Sequence, residues 1–351
     1  HHVYKITSKD IKKMIKNILI LIIFMTNTFL AQANEKEIKL FIEYMHNEYS
    51  YDKTELQYLF NNVKTEPRIK KYFRTAPERT LTWNGCTKQD KKCTNYKNLF
   101  VTNKNINNGI KFWSENYDAL AKAEKKFGVP AEIIVAIIGI ESKYGSRTGT
   151  FKTFDTLASL SLGPNKGRRA KFYKTELINF LLMCRENQLN PSNIKGSYAG
   201  ALGKPQFISS SYRHYAIDFD NDGKVNLWDS NYDVIGSVAN YFKKNGWRSY
   251  QEIMTPISYT QSNMSNVEIA SKKTYKPSTK YKTFKENLIL AISPIEKDEL
   301  LSVIGRKEQT GKEYSFGHKN FYVITRYNRS RLYALAVYSL SEEIKKVKSN
   351  I

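Results

Sequence analysis

Residues 131–145 read AEIIVAIIGIESKYG, and this stretch decides the fold. Nine of its first ten residues are apolar or small, and the run is long enough to predict a helix. Pro130 stands where a first-turn proline is expected, and Gly145 marks the predicted end of the helix. Glu141 follows Ile140 at the end of the apolar run, and a carboxyl in that place calls for a physical reason.

Glu141 has the surroundings that a proton donor needs. It lies in the last turn of the predicted helix, where the negative end of the helix dipole disfavours an anion. Its apolar neighbours exclude water, so both effects predict a raised pKa and a protonated carboxyl near neutral pH. That state is required of a general acid, which donates a proton to a reacting group. The alternative is a structural helix-end Glu that pairs with Lys143 or Arg147.

The composition indicates a globular chain with an anionic partner. The chain has 351 residues, 41% of them hydrophobic and 25% charged, with a formal net charge of +23. Such a charge favours nucleic acid, acidic lipid or an acidic polymer as the partner. Because the basic residues are scattered along the chain, a lysine-rich surface that serves solubility is the alternative.

Residues 1–33 have the pattern of a secretory signal peptide. A basic segment precedes the apolar run ILILIIFM at 18–25, and the small residues of AQA at 31–33 form a cleavage site. The apolar run is shorter than a membrane-spanning helix requires. We expect translation to start at Met14, with 1–13 a tag or an upstream misreading. The mature protein is then expected in the periplasm, without a stable membrane anchor.

The chain has three cysteines. Cys86 and Cys93 flank the polar loop CTKQDKKC, and in an exported protein they form either a disulfide or two free thiols. Cys184 lies in the apolar segment INFLLMC and is expected to be a buried small hydrophobe.

Periodicity predicts an α+β fold that is mainly α. Apolar residues at helical spacing run through 34–249, the predicted catalytic region, whereas 250–351 is predicted as a smaller lobe of short strands with a returning C-terminal helix. Helices are predicted at 39–49, 54–63, 107–128, 168–188, 233–247 and 330–347, and short strands at 286–293, 300–305 and 320–327.

Residues 218–229, DFDNDGKVNLWD, have the spacing of an EF-hand calcium loop. Asp218, Asp220 and Asp222 supply oxygens at positions 1, 3 and 5, Gly223 allows the turn at position 6, and Lys224 offers its carbonyl. The spacing predicts a structural Ca²⁺. A polar surface turn without metal is the alternative.

Two residues are candidates for the last ligand of the predicted calcium ion. Position 12 of the loop is Asp229, whose side chain reaches less far than the usual Glu. Asp233, four residues further on, is the alternative, and Asp229 or Ser230 then caps the following helix.

Four segments together resemble the B-type lytic murein transglycosylases, bacterial cell-wall enzymes with a lysozyme-like fold. They are IIGIESKYG, GSYAGALGKPQFISSSYRHYAIDFDNDGKVNLWD, SVANYFKKNGW and FYVITRYNRS. The resemblance runs from about residue 41 to the last helix, and it implies Glu141 as the single catalytic acid and base. The substrate-binding residues that it implies are Ser197, Gln206, Tyr241, Tyr327, Asn328, Tyr333, Arg168 and Arg169, and the metal ligands are Asp218, Asp220, Asp222, Lys224 and Asp233.

The resemblance implies cleavage of the bond between MurNAc and GlcNAc in peptidoglycan glycan strands, with a 1,6-anhydro-MurNAc end as product. It implies structural calcium and no organic cofactor. The alternatives are a muramidase that admits water, a non-catalytic wall-binding protein and a nucleic-acid binder, of which the signal peptide disfavours the last. Asp155 is either a second carboxylate or, as we expect, a residue that caps or packs its own segment.

Overall fold

The computed structural model describes residues 34–64, 68–69, 81–87, 93–163 and 167–350, so the predicted signal peptide lies outside the described residues. Helices predominate and a sheet is present, which confirms the predicted mainly α, α+β class. The helices are α1 (34–49), α2 (Lys53–Asn61), α3 (Lys97–Phe100), α4 (Asn103–Glu115), α5 (Tyr117–Phe127), α6 (Ala131–Ser142), α7 (Thr153–Leu162), α8 (Ala170–Glu186), α9 (Ser209–Tyr215), α10 (Asn231–Lys244), α11 (Met264–Ser271), α12 (Tyr281–Glu286), α13 (Lys319–Tyr327) and α14 (Arg331–Lys348).

The strands form three small sheets. They are β1 (Leu81–Thr82), β2 (Thr94–Asn95), β3 (Phe151–Lys152), β4 (Lys195–Gly196), β5 (Met254–Ser258), β6 (Thr279–Lys280), β7 (Leu290–Ala291), β8 (Leu300–Glu308) and β9 (Gly311–Gly317). β1 pairs with β2 in parallel, β3 pairs with β4 antiparallel, and the remaining strands form an antiparallel sheet in the order β6-β8-β9-β5-β7.

The chain divides into two compact units that are discontinuous in sequence. Of the described residues, the first unit comprises 34–64, 68–69, 151–163 and 167–200, and the second comprises 81–87, 93–150 and 201–350. The second unit therefore includes both α6 and the predicted smaller lobe. The predicted boundary at residue 250, between a catalytic region and a smaller lobe, stays a prediction.

The first unit is built on α1, α2, α7 and α8, with α7 packed along α8. Phe60 contacts Phe41 and Phe154 edge to face, and all three rings are buried. The Tyr51 hydroxyl donates to the Leu181 carbonyl at 3.0 Å. Cys184 is fully buried on α8, which confirms the prediction of a buried small hydrophobe.

Helix α6 is the centre of the second unit. Every residue from 131 to 140 is buried, and α4, α5, α10 and α14 all pack against it. A helix that is apolar on all sides is stable only when neighbours cover it completely, which is the case here. The predicted return of the C-terminal helix onto the helical region is confirmed, since α14 lies along α6.

Helix α6 begins after Pro130 and ends at Ser142, three residues before the predicted end at Gly145. Lys143 and Tyr144 both have left-handed backbone, with φ of 52° and 58°. Such residues cannot continue a right-handed helix, so they and not the glycine terminate it.

Two predicted elements were wrong in kind or extent. Residues 320–327, predicted as a strand, form helix α13, whose buried Phe321 and Ile324 are three residues apart, as on one helical face. The single helix predicted over 107–128 is two helices, because Asn116 leaves the helical backbone region (φ −126°, ψ 28°) and its amide donates to the Phe112 carbonyl.

The five-stranded sheet covers its own small core. Val303 and Phe316 lie opposite each other on β8 and β9, and Tyr281 and Phe284 of α12 contact the Phe316 ring. The strand predicted at 300–305 is confirmed in β8, whereas of the strand predicted at 286–293 only residues 290–291 form one, β7. No helix in the described part of the chain is both long and apolar enough to cross a membrane.

Candidate active site

Glu141 lies in the last turn of α6 and is half-buried. Its Oε1 accepts a hydrogen bond from the Tyr333 hydroxyl at 2.5 Å. Burial raises the pKa of the carboxyl to about 7, and the Tyr333 hydrogen bond lowers it by a smaller amount. Among the described residues no ion pair involves Glu141, so the pairing with Lys143 or Arg147 is not formed. Glu141 therefore has the state expected of a proton donor near neutral pH.

Tyr333 is held in place by the start of α14. The Ser330 side chain caps that helix and accepts from the Tyr333 N–H at 3.3 Å. The ring is only 2% exposed, and burial together with the Glu141 charge keeps the hydroxyl pKa well above its usual value. Tyr333 is therefore a neutral donor at any physiological pH.

Two further tyrosines extend from Tyr333 as an aromatic wall. The ring of Tyr327 stacks on that of Tyr333 at 6.4 Å and an angle of 14°, and Tyr241 lies 4.8 Å from Tyr327. The Tyr327 hydroxyl donates to the Pro205 carbonyl at 2.6 Å, and the Tyr241 hydroxyl donates to the Arg326 carbonyl at 2.6 Å. These hydrogen bonds fix the rings, because each joins a side chain to the backbone of a different segment.

Gln206 occupies a tight turn between Leu202 and Phe207, whose backbones exchange two hydrogen bonds. Its φ is 52°, a left-handed conformation that is strained for a residue with a side chain. The side-chain N–H groups donate to the carbonyls of Thr148 at 3.1 Å and Gly203 at 2.9 Å. The amide orientation is therefore fixed from both sides, and its oxygen has no partner among the described residues.

The other predicted binding residues are divided between the two structural units. Asn328 is exposed directly after α13 and next to Tyr327. Ser197, Arg168 and Arg169 belong to the first unit, where the Ser197 hydroxyl accepts from the Ala199 N–H at 3.2 Å. Both arginines are exposed, and the Arg169 guanidinium lies 4.4 Å from the centre of a neighbouring Phe ring. Their role in binding stays a prediction.

Tyr96 lies in the neighbourhood of Glu141, which the sequence did not reveal. Its ring lies 5.0 Å from that of Phe100, and the Lys143 ammonium, two residues beyond Glu141, lies 5.6 Å from the Phe100 ring. Tyr96 is half-buried, and burial followed by the Glu141 charge raises its pKa to about 12. Its hydroxyl has no hydrogen-bond partner among the residues that the structure describes. Nothing marks Tyr96 in the sequence, because it reaches Glu141 from a segment that precedes α6 by several helices.

Asp155, the possible second carboxylate, lies in the first unit at the start of α7. Its Oδ2 accepts from the Lys64 N–H at 3.3 Å, a contact with a segment 91 residues earlier and not within its own segment as expected. No carboxylate in the described part of the chain contributes to the raised pKa of Glu141.

The predicted metal loop brings three carboxylates together. One oxygen each from Asp218, Asp220 and Asp222 lies within 4.8 Å of the others. The loop is folded by its own side chains, since Asp218 accepts from the N–H groups of Asp222 and Gly223. Gly223 has a φ of 89°, so the glycine allows the sharp turn that the spacing predicts.

Asp233 and Asp229 differ in how they meet this loop. Asp233 is buried in the first turn of α10, and its two oxygens accept from the N–H groups of Phe219 and Asn226 at 2.7 and 2.8 Å. Asp229 is exposed and accepts from the Asn226 side chain at 3.4 Å. Asp233 therefore connects both halves of the loop to α10.

A lone half-buried acid with a raised pKa, held by a buried tyrosine beside an aromatic wall, defines a general acid–base site of the kind found in glycan-cleaving enzymes. A family model described as "Transglycosylase SLT domain" matches residues 33–342, nearly all of the described chain. The chain belongs to this family.

Its relatives are cell-wall enzymes by name. The chain is 36% identical over 313 residues to membrane-bound lytic murein transglycosylase B of Escherichia coli K12, which covers 89% of this chain and 83% of that protein. Soluble lytic transglycosylase SltB1 from Pseudomonas aeruginosa matches with a TM-score of 0.81 at 36% identity, over 89% of this chain and 99% of that one. Escherichia coli Slt35 in complex with calcium matches with a TM-score of 0.76 at 35% identity, over 89% and 93%.

Proposed function

We propose that the protein is a peptidoglycan lytic transglycosylase in which Glu141 acts alone as acid and base. The observation that carries this proposal is the Glu141 carboxyl at the end of a buried helix, hydrogen-bonded to the Tyr333 hydroxyl. Burial raises the pKa of this carboxyl to about 7. The substrate is the β-1,4 bond between MurNAc and GlcNAc, as the names of the murein-cleaving relatives suggest.

The reaction needs one carboxyl because the substrate brings its own nucleophile. Protonated Glu141 gives its proton to the glycosidic oxygen, and the bond from that oxygen to MurNAc C1 breaks. Positive charge then develops on MurNAc, and the Glu141 carboxylate removes the proton of the C6 hydroxyl. The C6 oxygen attacks C1, the 1,6-anhydro ring closes, and Glu141 is protonated again. Ordinary glycosidases need a second carboxylate to serve as the nucleophile or to activate water.

The aromatic wall and the fixed amide are suited to holding the sugar. Tyr327 is half-exposed and offers a ring face, whereas Tyr241 and Tyr333 are mostly buried and act by fixing their neighbours. The free oxygen of Gln206 accepts a hydrogen bond from an N-acetyl N–H or a hydroxyl. Asn328 is exposed at the end of α13 and offers a second amide. We assign Ser197, Arg168 and Arg169 to the same binding role, with the arginines directed at acidic groups of the polymer.

We further propose that the 218–233 loop holds a structural Ca²⁺. The ligands are the carboxylates of Asp218, Asp220 and Asp222, the Lys224 carbonyl, and Asp233, which is already oriented toward the loop from α10. Hard oxygens converging from one turn are the donor set that Ca²⁺ prefers. The calcium complex of the relative Slt35 supports this assignment.

We propose that the protein is exported to the periplasm, where its substrate lies. The support is the signal-like pattern of 1–33 and the disulfide between Cys86 and Cys93, which confirms the bonded alternative for these cysteines. Disulfides of this kind persist in oxidising compartments.

The test is digestion of purified peptidoglycan sacculi with mass spectrometry of the products. The expected products carry 1,6-anhydro-MurNAc ends, which are lighter by one water than the reducing ends left by a muramidase. Glu141→Gln is expected to abolish release. Glu132→Gln is the matched control, because Glu132 lies at the other end of α6 and pairs with Lys345 at 3.1 Å. Reducing ends from the parent protein would show a muramidase, and full activity of Glu141→Gln would show that the catalytic acid lies elsewhere.

A further inference from the structure

Tyr96 belongs to a segment, residues 81–97, whose two ends pair with each other; we call it the closed segment. In its described parts, 81–87 and 93–97, β1 pairs with β2, and a disulfide joins Cys86 to Cys93. The Tyr96 N–H donates to the Thr82 carbonyl at 2.8 Å. Lys97, the next residue, donates its N–H to the Trp83 carbonyl at 3.0 Å. The place of Tyr96 is therefore tied to that of Thr82 and Trp83.

The closed segment is anchored on Glu308 at the end of β8. One carboxylate oxygen of Glu308 accepts from the Trp83 indole N–H at 2.7 Å, and the other accepts from the Asn84 side-chain amide at 2.7 Å. The neighbouring Lys307 carbonyl accepts from the Asn84 N–H at 3.0 Å. A single carboxylate thus holds two consecutive residues of the segment from both of its oxygens.

Polar contacts add to the packing that holds the segment at this point, where Trp83 is only 2% exposed. A cavity of about 310 Å³ opens beside the anchor, and Trp83, Arg306 and Glu308 are among its lining residues. The cations of Lys97 and Arg306 lie 3.6 and 3.8 Å from Glu308. Charge-assisted hydrogen bonds in a half-buried setting are strong and directional, so they give the packed segment a defined position and orientation beside the cavity.

We infer that Glu308 is a positioning residue for the reaction at Glu141, because through Trp83 and Asn84 it sets the place of Tyr96 at the substrate site. This inference rests on the proposed function. Tyr96 contributes a hydroxyl without a protein partner among the described residues, and that hydroxyl is free to bind a sugar in the ground state as well as in the transition state. A contact made equally in both states changes KM and leaves kcat nearly unaltered.

The test uses Glu308→Gln, an isosteric change that leaves one acceptor oxygen and replaces the other with a donor. On a soluble peptidoglycan fragment we expect KM to rise about three- to tenfold, the effect of one lost hydrogen bond, with kcat within about twofold of the parent. Glu313→Gln is the matched control. Glu313 lies on the paired strand and bonds the same Arg306, but it does not contact the closed segment, so its KM is expected to equal that of the parent.

A double-mutant cycle separates positioning from a general structural role. Tyr96→Phe is expected to raise KM by a similar factor, and adding Glu308→Gln to it is expected to raise KM by less than about twofold further. The Cys86→Ser, Cys93→Ser variant is expected to show the same rise in KM, and the same non-additivity with Tyr96→Phe. An unchanged KM in Glu308→Gln, or a full further rise in the Tyr96→Phe background, would overturn the inference.

The outcomes also separate this inference from the proposed function. If the parent protein releases anhydro products and Glu308→Gln has the KM of the parent, only the positioning role is wrong. If the parent releases none, the proposed function is wrong, and the assignment of Glu308 fails with it.

Discussion

Replacing Tyr333 with Phe tests the hydrogen bond that defines the catalytic acid. The substitution removes only the hydroxyl that donates to Glu141, and the ring still fills its buried place. The hydroxyl stabilises the ionised carboxylate more than the neutral acid, so its removal is expected to raise the pKa of Glu141 further.

The size of the shift follows from the strength of the bond. A hydrogen bond to a charged group contributes about 1.5–3 kcal/mol and one to a neutral group about 0.5–1.5 kcal/mol. The difference of about 1–1.5 kcal/mol corresponds to roughly one pKa unit, since each unit is about 1.4 kcal/mol. The pKa of Glu141, about 7 in the parent, is therefore expected to be about 8 in the variant.

The assay is the pH dependence of kcat/KM on a soluble peptidoglycan fragment, which reports the acid of the free enzyme. Activity falls as the acid ionises, so its alkaline limb is expected to move up by about one pH unit, while the maximal rate falls because the carboxyl is less well oriented. Tyr338→Phe, on the same helix but at the cavity beside Glu308, is the control and is expected to leave the limb in place. A limb that stays or moves to lower pH in Tyr333→Phe would refute the assignment of Tyr333 as donor to Glu141.

Three further results are expected. Burial raises the pKa of Glu141 from 4.5 to about 7, so its contribution to stability is complete below pH 4.5 and is lost as the pH rises through 7. Glu141→Gln is therefore expected to be more stable than the parent at pH 8, by about 2 kcal/mol after allowance for partial exposure, and equal to it at pH 4 in urea unfolding; equal stability at both values would contradict burial of the charge. Gly139→Ala places a Cβ 2.5 Å from the Tyr144 ring and is expected to destabilise by about 1–3 kcal/mol, whereas Gly167→Ala, with open space around it, is neutral in the same unfolding assay; equal effects would contradict the tight contact. Calcium at about a hundred times its Kd is expected to add about 2.7 kcal/mol to the parent in thermal unfolding, an increment that chelator removes and that Asp220→Asn largely lacks; the same increment in both proteins would place the ion elsewhere.

The sequence pattern predicted correctly those elements that depend only on residues close together in the sequence. The apolar run of 131–140 was enough to predict α6, and the alternating acids of 218–222 predicted a tight turn of converging carboxylates. Local pattern failed where the same short run of residues is compatible with both a strand and a helix. Residues 320–327 contain the short apolar run FYVI, which suits a strand as well as a helix, yet the buried 321 and 324 positions lie on one helical face.

The site could be predicted only in part, because its residues are distant in sequence. The resemblance identified Tyr333 as a site residue with an expected contact to sugar, whereas the fold buries its ring and directs its hydroxyl to Glu141. Tyr96 and Glu308 carry no local signal at all. Their roles depend on a disulfide-closed segment meeting a strand end more than 200 residues further along the chain.

The sequence by itself determined that a carboxyl would end an apolar helix, since the order of residues along α6 requires it. Only the tertiary structure decided that α14 covers this helix end and that Tyr333 is the partner of Glu141. The physical reason is that desolvation and hydrogen bonding depend on which distant groups surround an atom, and those neighbours exist only once the chain has folded.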